Sequence, residues 1–168
     1  MNYGCKYNSP IGEITMVSDG RFLICLSIEG QSMPFKELEF KENLYIFELT
    51  KKWLDEYFEG NESKIKIPIK LNGTDFRKEV WNILLEIPYG KTITYGEIAK
   101  KIAEKRHIIK MSAQAVGGAV GHNPISIIVP CHRVLGANKN ITGYGGGLHL
   151  KRELLKIEKI EWSEWYGI

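Results

Sequence analysis

Two apolar runs near the N-terminus flank a turn signal. In the stretch EITMVSDGRFLICLSIE both runs are rich in β-forming residues, and Asp19-Gly20 between them favours a tight hairpin turn. The apolar spacing then becomes helical over residues 43–59, with Asn43 and Gly60 as end signals. This order of elements predicts a small α+β module that consists of a hairpin sheet and a helix.

The predicted module ends near Asn72-Gly73. The preceding run, KIKIPIKLNG, alternates charged and apolar residues around Pro68, which fits either a short strand or an extended connector. Residues 1–72 carry no pattern that indicates chemistry, and we predict that they form an N-terminal domain. Residues 73–168 form the second predicted domain.

The second predicted domain is mostly helical. An apolar helical stripe follows Thr74-Asp75 and ends at the turn sequence IPYG. Thr94 and Glu97 fit a capping box, which predicts a helix start at this point. The polar, basic connector KRHIIKM follows, and Ser112 can cap the next helix. Helix, basic turn and helix predict a helix-turn-helix, although paired short helices are also common in other proteins.

The helix after Ser112 consists almost only of small residues. Its sequence, AQAVGGAVGH, includes two mid-helix glycines that each cost about 1 kcal/mol relative to alanine. Small residues allow another backbone or a ligand to approach closely. The pattern fits tight packing against a second helix or insertion into a DNA groove.

The net charge of the chain is concentrated in its second part. The whole sequence has a formal charge of +3; residues 1–72 have 9 Lys+Arg and 11 Asp+Glu, and residues 73–168 have 14 and 9. The second part therefore carries +5, which fits an anionic partner such as nucleic acid or a solvated basic surface.

Cys131 stands in the run IVPCHRVL, next to His132 and Arg133. A free thiol with a pKa of about 8.5 is mostly protonated at neutral pH, so a nucleophilic cysteine needs a base, and that base needs an orienting acceptor. His132 is a candidate base, and Glu158 in the amphipathic run KRELLKIE is a candidate acceptor. A simple core cysteine is the alternative.

A glycine-rich stretch lies between these residues. TGYGGGLHL has four glycines in nine residues, which allows its backbone to approach a ligand. The stretch lacks the spacing of a phosphate-binding loop. It fits a wall around a flat ligand or an ordinary turn.

Three segments together resemble a known family. PYGKTITYGEIA, AVGGAVGHNPISIIVPCHRVLG and TGYGGGLHLKRELLKIE, in this order over roughly residues 74–158, resemble the O6-alkylguanine-DNA alkyltransferases, also called methylated-DNA–protein-cysteine methyltransferases. The resemblance implies an α+β fold with an RNase H-like first domain and a winged-helix-like second domain. It also implies DNA repair by irreversible transfer of the alkyl group of O6-alkylguanine to the protein's own cysteine, once per molecule. O4-alkylthymine is a further candidate substrate.

The resemblance implies catalytic roles for residues that match the family's motifs. Cys131 is expected to accept the alkyl group, and His132 to draw off its proton through a water molecule. Glu158 is expected to orient His132. Asn123 is expected to brace the recognition helix against the active-site segment, and Tyr95 to protonate N3 of the departing guanine.

The resemblance also implies how the base is held. The backbone carbonyls of Cys131 and Val134 are expected to bind the exocyclic amine of guanine. The backbone N–H of Gly145 is expected at O6, and Tyr144 is expected to form a wall of the pocket.

The family inserts the second helix of its helix-turn-helix into the minor groove and rotates the damaged base out of the stack. The residues expected to contact DNA are Lys110, Ser112, Ala113, Gln114, Ala115, Gly117, Gly118 and Arg133. Many members have an arginine where this chain has Gln114. We expect Gln114 still to fill the space that the base leaves, with Lys110 or Arg106 contacting phosphate.

The expected partner is double-stranded DNA, and no cofactor is expected. Some members bind zinc in the first domain through two cysteines and two histidines; residues 1–72 contain Cys5 and Cys25 but no histidine, so no metal is expected. Three scattered cysteines and the absence of a signal-peptide pattern predict a cytoplasmic protein. No apolar run predicts a membrane span, and a monomer is expected.

Three other functions compete with alkyl transfer. A non-enzymatic protein that binds alkyl lesions lacks the acceptor cysteine, so Cys131 argues against this class. A helix-turn-helix regulator of the kind that some relatives contain has an additional domain. A cysteine hydrolase needs an oxyanion hole, for which the sequence has no signal.

Overall fold

A four-stranded sheet dominates the first part of the computed structural model, which describes residues 1–164. The chain divides into two units: Met1–Asn72 with Pro124–Ser126, and Gly73–Asn123 with the residues from Ile127 onward. Residues 165–168 of the second predicted domain lie outside the described residues.

The strands of the first unit form a mixed sheet of order β3-β2-β1-β4. They are β1 (Tyr3–Ser9), β2 (Gly12–Ser18), β3 (Leu23–Ile28) and β4 (Glu39–Phe40). The predicted hairpin is confirmed as the antiparallel pair β2–β3. The Asp19 carboxylate stabilises its turn by accepting hydrogen bonds from the N–H groups of Arg21 (2.9 Å) and Phe22 (2.8 Å). Strand β1 pairs antiparallel with β2 and was not predicted, because Gly4, Lys6 and Asn8 weaken its strand pattern.

Helix α1 (Tyr45–Phe58) supplies the helical layer of the first unit and buries Phe47, Leu54 and Tyr57. The expected start signal at Asn43 is wrong, because Leu44 occupies the N-cap position and makes no capping hydrogen bond with its side chain. Gly60, the predicted stop signal, follows the C-cap residue and has a φ of 87°, which favours glycine.

The outer edge of β3 is covered by two separate segments of chain. The Leu23 N–H donates to the Pro68 carbonyl (2.9 Å), and the Leu23 carbonyl accepts a hydrogen bond from the Lys70 N–H. KIKIPIKLNG is therefore an extended connector with one bridge to β3. Leu26 exchanges backbone hydrogen bonds with Pro124 and Ser126, each at 3.0 Å. These contacts satisfy groups that an open sheet edge would leave unpaired.

Up to residue 164, the second unit contains four α-helices, α2 (Asp75–Leu85), α3 (Tyr95–Lys105), α4 (Ala113–Gly121) and α5 (Leu148–Ile157). The predicted N-caps are confirmed. Thr74 accepts a hydrogen bond from the Arg77 N–H, Thr94 forms the complete capping box with Glu97, and Ser112 accepts from the Ala115 N–H. Helix α3 is followed by a turn and then by α4, as in a helix-turn-helix.

Helix α2 packs on α4 through a buried tryptophan. The indole Nε1–H of Trp81 donates to the Ala119 carbonyl at 2.8 Å. Gly73 lies against the same ring, and a Cβ at this position would be 2.6 Å from it. Glycine is therefore required where the chain enters the second unit.

A short parallel pair of strands brings two distant segments together. Strand β5 (Ile93–Thr94) pairs with β6 (Val134–Leu135), with Ile93 opposite Val134. Strand β5 leads directly into Tyr95 at the start of α3, and β6 directly follows a 3-10 turn over Cys131–Arg133. The pairing therefore places Tyr95 beside the segment that contains Cys131.

Within residues 1–164, no helix combines the length and the apolar character that crossing a bilayer requires.

Candidate active site

Cys131 begins the 3-10 turn and lies almost completely inside the second unit. Its exposed fraction is 7 %, so a substrate has to enter a pocket to reach the sulfur. Burial raises the pKa of the Cys131 thiol, while hydrogen bonds with the side chains of Asn123 and Tyr144 and the positive charge of Lys151 oppose this rise. The thiol therefore has the partners that a buried sulfur needs to become a thiolate.

The Glu158 carboxylate is buried and receives three hydrogen bonds. His132 Nε2 lies 2.5 Å from Oε2, Arg133 Nε donates to Oε1 at 2.7 Å, and the Gly90 N–H donates to Oε1 at 3.0 Å. Burial alone would raise the pKa of Glu158, but the hydrogen bond from His132, the charge of Arg133 and the hydrogen bond from Gly90 lower it to about 2. Glu158 is therefore ionised at neutral pH. It is the C-cap of α5, one residue beyond the helix.

His132 is completely buried, and burial lowers its pKa even though Glu158 opposes the change. The imidazole is therefore neutral at pH 7. Because Nε2 faces a carboxylate that can only accept, we assign the proton to Nε2. This tautomer leaves the lone pair on Nδ1, which is the arrangement that a base needs.

Arg133, which was expected to contact DNA, is buried in the second unit. Its guanidinium is enclosed by the protein: Nε donates to Glu158, and Nη1 donates to the Ile87 carbonyl at 2.8 Å. The Tyr89 ring lies 5.7 Å from its central carbon. Arg133 fixes the Glu158 carboxylate from inside, and these contacts engage its Nε and Nη1 donors within the protein.

Tyr95 is half-buried at the start of α3 and is electrostatically coupled to Cys131. Burial raises the pKa of the Tyr95 hydroxyl, a hydrogen bond with Thr142 lowers it, and the charge of Cys131 raises it. The Tyr95 ring also lies against Gly117 of α4, where a Cβ would be 3.9 Å from ring carbons. Tyr95 is therefore positioned between the sulfur and the helix of small residues.

Asn123 connects the end of α4 to the segment before the cysteine. Its Nδ2 donates to the Val129 carbonyl at 2.7 Å, and the same side chain hydrogen-bonds the Cys131 thiol. Between them, Ile127 is fully buried with a φ of 71°, a region that β-branched residues rarely occupy. Strained backbone of this kind is concentrated at functional sites.

Lys151 is a buried charged residue of the site that the sequence analysis missed. Its exposed fraction is 0 %, and Nζ donates to the carbonyls of Val134 (2.7 Å) and Thr142 (2.9 Å). Burial lowers the pKa of Lys151 to about 8, and the charge of Cys131 opposes this. The available signal was its position on α5, where it falls on the apolar face with Leu154 and Leu155. Lys151 therefore joins β6 to the glycine-rich loop.

One face of α4 is open. Ala113, Gln114, Ala115 and Gly118 are exposed, and a Cβ at Gly118 would meet no atom within 4 Å. The opposite face buries Val116, Ala119 and Val120. Because the exposed face has short side chains, a ligand can approach the helix backbone.

Four further residues were predicted to take part in the site: Lys110, Val134, Tyr144 and Gly145. Lys110 is exposed just before Ser112. The Val134 carbonyl accepts a hydrogen bond from the Lys151 ammonium, so one lone pair of this carbonyl is occupied. Tyr144 interacts with the Cys131 thiol and lies in the same glycine-rich loop as Gly145. In residues 1–164, no group of three His, Cys, Asp or Glu side chains could hold a metal ion.

We expect Glu158→Gln to flatten the dependence of stability on pH between about 5 and 2. The pKa of Glu158 is about 2 in the folded state and about 4.3 when unfolded. Since the folded pKa is the lower one, the stability that the carboxylate contributes is complete above the unfolded pKa and is lost as the pH falls towards the folded pKa. Urea unfolding across this pH range measures the effect. The exposed Glu161→Gln is the matched control; an unchanged acid slope in Glu158→Gln contradicts the prediction.

We expect Lys151→Met to lower the free energy of unfolding by about 1–3 kcal/mol, because the buried carbonyls of Val134 and Thr142 lose a charged donor. Chemical denaturation measures this change. Lys156→Met removes the same charge from an exposed position on the same helix and is expected to have little effect. Equal effects of the two substitutions are incompatible with the prediction.

The chain matches two family models. Residues 2–71 match "6-O-methylguanine DNA methyltransferase, ribonuclease-like domain", and residues 75–160 match "6-O-methylguanine DNA methyltransferase, DNA binding domain". These matches confirm the predicted α+β class, with a ribonuclease-like domain that precedes a mostly helical one.

Similar proteins bear the same family name. A methylated-DNA–protein-cysteine methyltransferase of Haemophilus influenzae is 41% identical over 164 residues, which cover 96% of this chain and 89% of the relative. One of Mycobacterium tuberculosis is 43% identical over 90% of this chain and 89% of its own length.

Solved structures agree with these relatives. A crystal structure of the M. tuberculosis protein in complex with DNA is 42% identical, has a TM-score of 0.84, and covers 94% of this chain and 92% of that one. An O6-methylguanine DNA methyltransferase of Methanococcus jannaschii is 29% identical with a TM-score of 0.61, over 98% of this chain and 99% of the other. The chain therefore belongs to the 6-O-methylguanine DNA methyltransferase family.

Proposed function

We propose that this protein repairs DNA by transferring the alkyl group of O6-alkylguanine in duplex DNA to its own Cys131. One observation carries the proposal: the Cys131 thiol is followed in the chain by a buried, neutral imidazole whose Nε2 is held by an ionised carboxylate. The names of the relatives and the DNA in the M. tuberculosis structure support it.

The proposed reaction is an in-line displacement at the alkyl carbon. His132 receives the thiol proton through a water molecule, the sulfur forms a bond to the alkyl carbon, and the carbon–O6 bond breaks with its electron pair leaving on guanine. Tyr95 gives N3 a proton, so guanine leaves as a neutral base. His132 returns its proton to solvent and the tyrosinate takes one up. A thioether is a poor substrate for a second displacement, so each molecule reacts once.

The charges around the sulfur suit this reaction. A buried thiol resists ionisation, but the positive charge of Lys151 and the hydrogen bonds of Asn123 and Tyr144 favour the thiolate. The Glu158 carboxylate stabilises the imidazolium that forms when His132 accepts the proton. The arrangement therefore stabilises both the thiolate on Cys131 and the imidazolium on His132.

We propose that the guanine lies between Tyr144 and the backbone on either side. The carbonyls of Cys131 and Val134 accept from its exocyclic amine, and the Gly145 N–H donates to O6. The Val134 carbonyl uses its second lone pair, since Lys151 occupies the first. The glycines near Gly145 allow the backbone to come this close.

We propose that the open face of α4 enters the minor groove, through Ser112, Ala113, Ala115, Gly117 and Gly118. The base leaves the stack to reach Cys131, which costs a few kcal/mol. Gln114 is exposed at the start of this face. Its side chain fills the space in the base stack that the rotated guanine leaves. Lys110 contacts phosphate.

A non-enzymatic lesion binder is the alternative. This class needs the pocket and the DNA-binding helix but no acceptor, and the partners arranged around Cys131 favour the enzyme. We further propose that the protein acts as a cytoplasmic monomer without a cofactor. Residues 1–72 and 73–168 would be its two domains, with the transfer site in the second.

Incubation with a duplex that carries one O6-methylguanine is expected to add the mass of a single methyl group to the peptide that contains Cys131. Intact and peptide mass spectrometry measure this addition. Cys131→Ser is expected to show none, because an alcohol in this site is far less nucleophilic than a thiolate. Tight binding of the lesion without added mass refutes the transfer and favours the lesion binder.

Tyr95→Phe is expected to slow transfer by about 10²–10⁴-fold, the range that a general acid contributes. Gln114→Ala is expected to weaken transfer from duplex DNA less strongly, and to leave transfer from a free O6-alkylguanine base unchanged. Single-turnover rates on both substrates separate the two effects. If Gln114→Ala transfers from duplex DNA at the wild-type rate while Tyr95→Phe is impaired, Gln114 does not fill the gap.

A further inference from the structure

Two isoleucines between α3 and α4 are presented to solvent. Ile109 is fully exposed, at 103 % of its reference area, and Ile108 is 43 % exposed. We call these two residues the connector tip. Two adjacent exposed isoleucines give this segment an apolar surface that a partner could bury.

The connector between α3 and α4 is fixed at both ends. The N–H of Ile108 donates to the Ala103 carbonyl at 3.0 Å, and His107, with a φ of 55°, takes the left-handed conformation that ends the helix. On the other side, the Ser112 hydroxyl caps α4. Both ends of the connector are thus fixed by helix caps, which hold the tip away from the core.

The base of the connector is fixed to α2. The Arg106 guanidinium donates to the Glu79 carboxylate, with Nη2 at 2.5 Å, and lies 5.6 Å from the centre of the Phe76 ring. Arg106 is therefore engaged within the protein, which leaves Lys110 as the cation nearest the tip on the α4 side.

The stretch of chain that carries the connector tip is basic, although Arg106 is paired with Glu79. Residues 100–110 contain five Lys or Arg and a single acid, Glu104. Lys110 and Met111 separate the tip from Ser112 and the open face of α4. A surface with apolar side chains, cations and a bare helix in sequence complements a duplex, whose groove walls are sugar and base edges between phosphates.

We propose that the connector tip is an apolar contact for the minor groove of duplex DNA beside α4. This inference rests on the proposed function and adds a contact that the helix of small residues does not supply. Minor-groove proteins bring Ile, Leu, Phe or Met against base steps while cations hold the phosphates. The tip therefore contributes affinity that is independent of ion pairs.

The test compares the binding of Ile109→Ser and wild type to an undamaged fluorescent duplex, by anisotropy at several salt concentrations. We expect the Kd of Ile109→Ser to rise about threefold to tenfold, because apolar burial is lost. The slope of log K against log salt should stay unchanged, because no ion pair is lost. Lys110→Gln should instead reduce this slope by about one.

Leu85→Ser is the matched control, since Leu85 is 42 % exposed at the end of α2. The Kd of this variant for the duplex should equal that of the wild type. Transfer to Cys131 from free O6-benzylguanine, which needs no duplex, should be equal in Ile109→Ser and wild type. If the wild type takes up no alkyl group from either substrate, the proposed function fails, whereas the change in Kd on undamaged DNA is read separately.

An unchanged Kd for Ile109→Ser overturns the proposal. Sedimentation velocity distinguishes the main alternative: if the wild type self-associates, Ile109→Ser does not, and their Kd values agree, the tip contacts a second copy of this chain and not DNA.

Discussion

The buried Glu158 carboxylate is the interaction on which the site depends. It holds the side chains of the neighbouring His132 and Arg133 and the backbone of Gly90, which come from two separate stretches of chain. A buried carboxylate is tolerated only when its oxygens are satisfied, so each of these donors is needed to keep the others in place. The Glu158 carboxylate that orients His132 therefore also holds together the chain segments next to Cys131.

Lys151 is a further buried charge of the site. Lys151 is enclosed with three carbonyls within hydrogen-bond distance, of which Val134 belongs to the cysteine segment and Thr142 to the glycine-rich loop. The loop has little side-chain packing of its own, because glycine contributes none. The ammonium supplies the missing attachment, so a flexible sequence forms a defined wall. Its charge at the same time favours the thiolate.

The sequence predicts features that depend on near neighbours. The N-caps at Thr94 and Ser112 follow from a side chain and a backbone N–H three residues later, and both form as expected. Arg133 and Lys151 depend on carbonyls and carboxylates that are distant in the chain, so their burial could not be predicted from local pattern. A charged residue on an apolar helix face was the available signal for Lys151.

The short run Pro124–Ser126 links the two units a second time along the chain. It pairs with Leu26 of β3 and belongs to the first unit, although more than fifty residues of the second unit precede it in the chain. During synthesis the backbone groups of Leu26 therefore cannot reach these partners until the residues up to Ser126 have been made. The chain then returns to the second unit at Ile127, four residues before Cys131. The stretch that covers the edge of the first sheet and the stretch that carries the reactive sulfur are thus one continuous run of polypeptide.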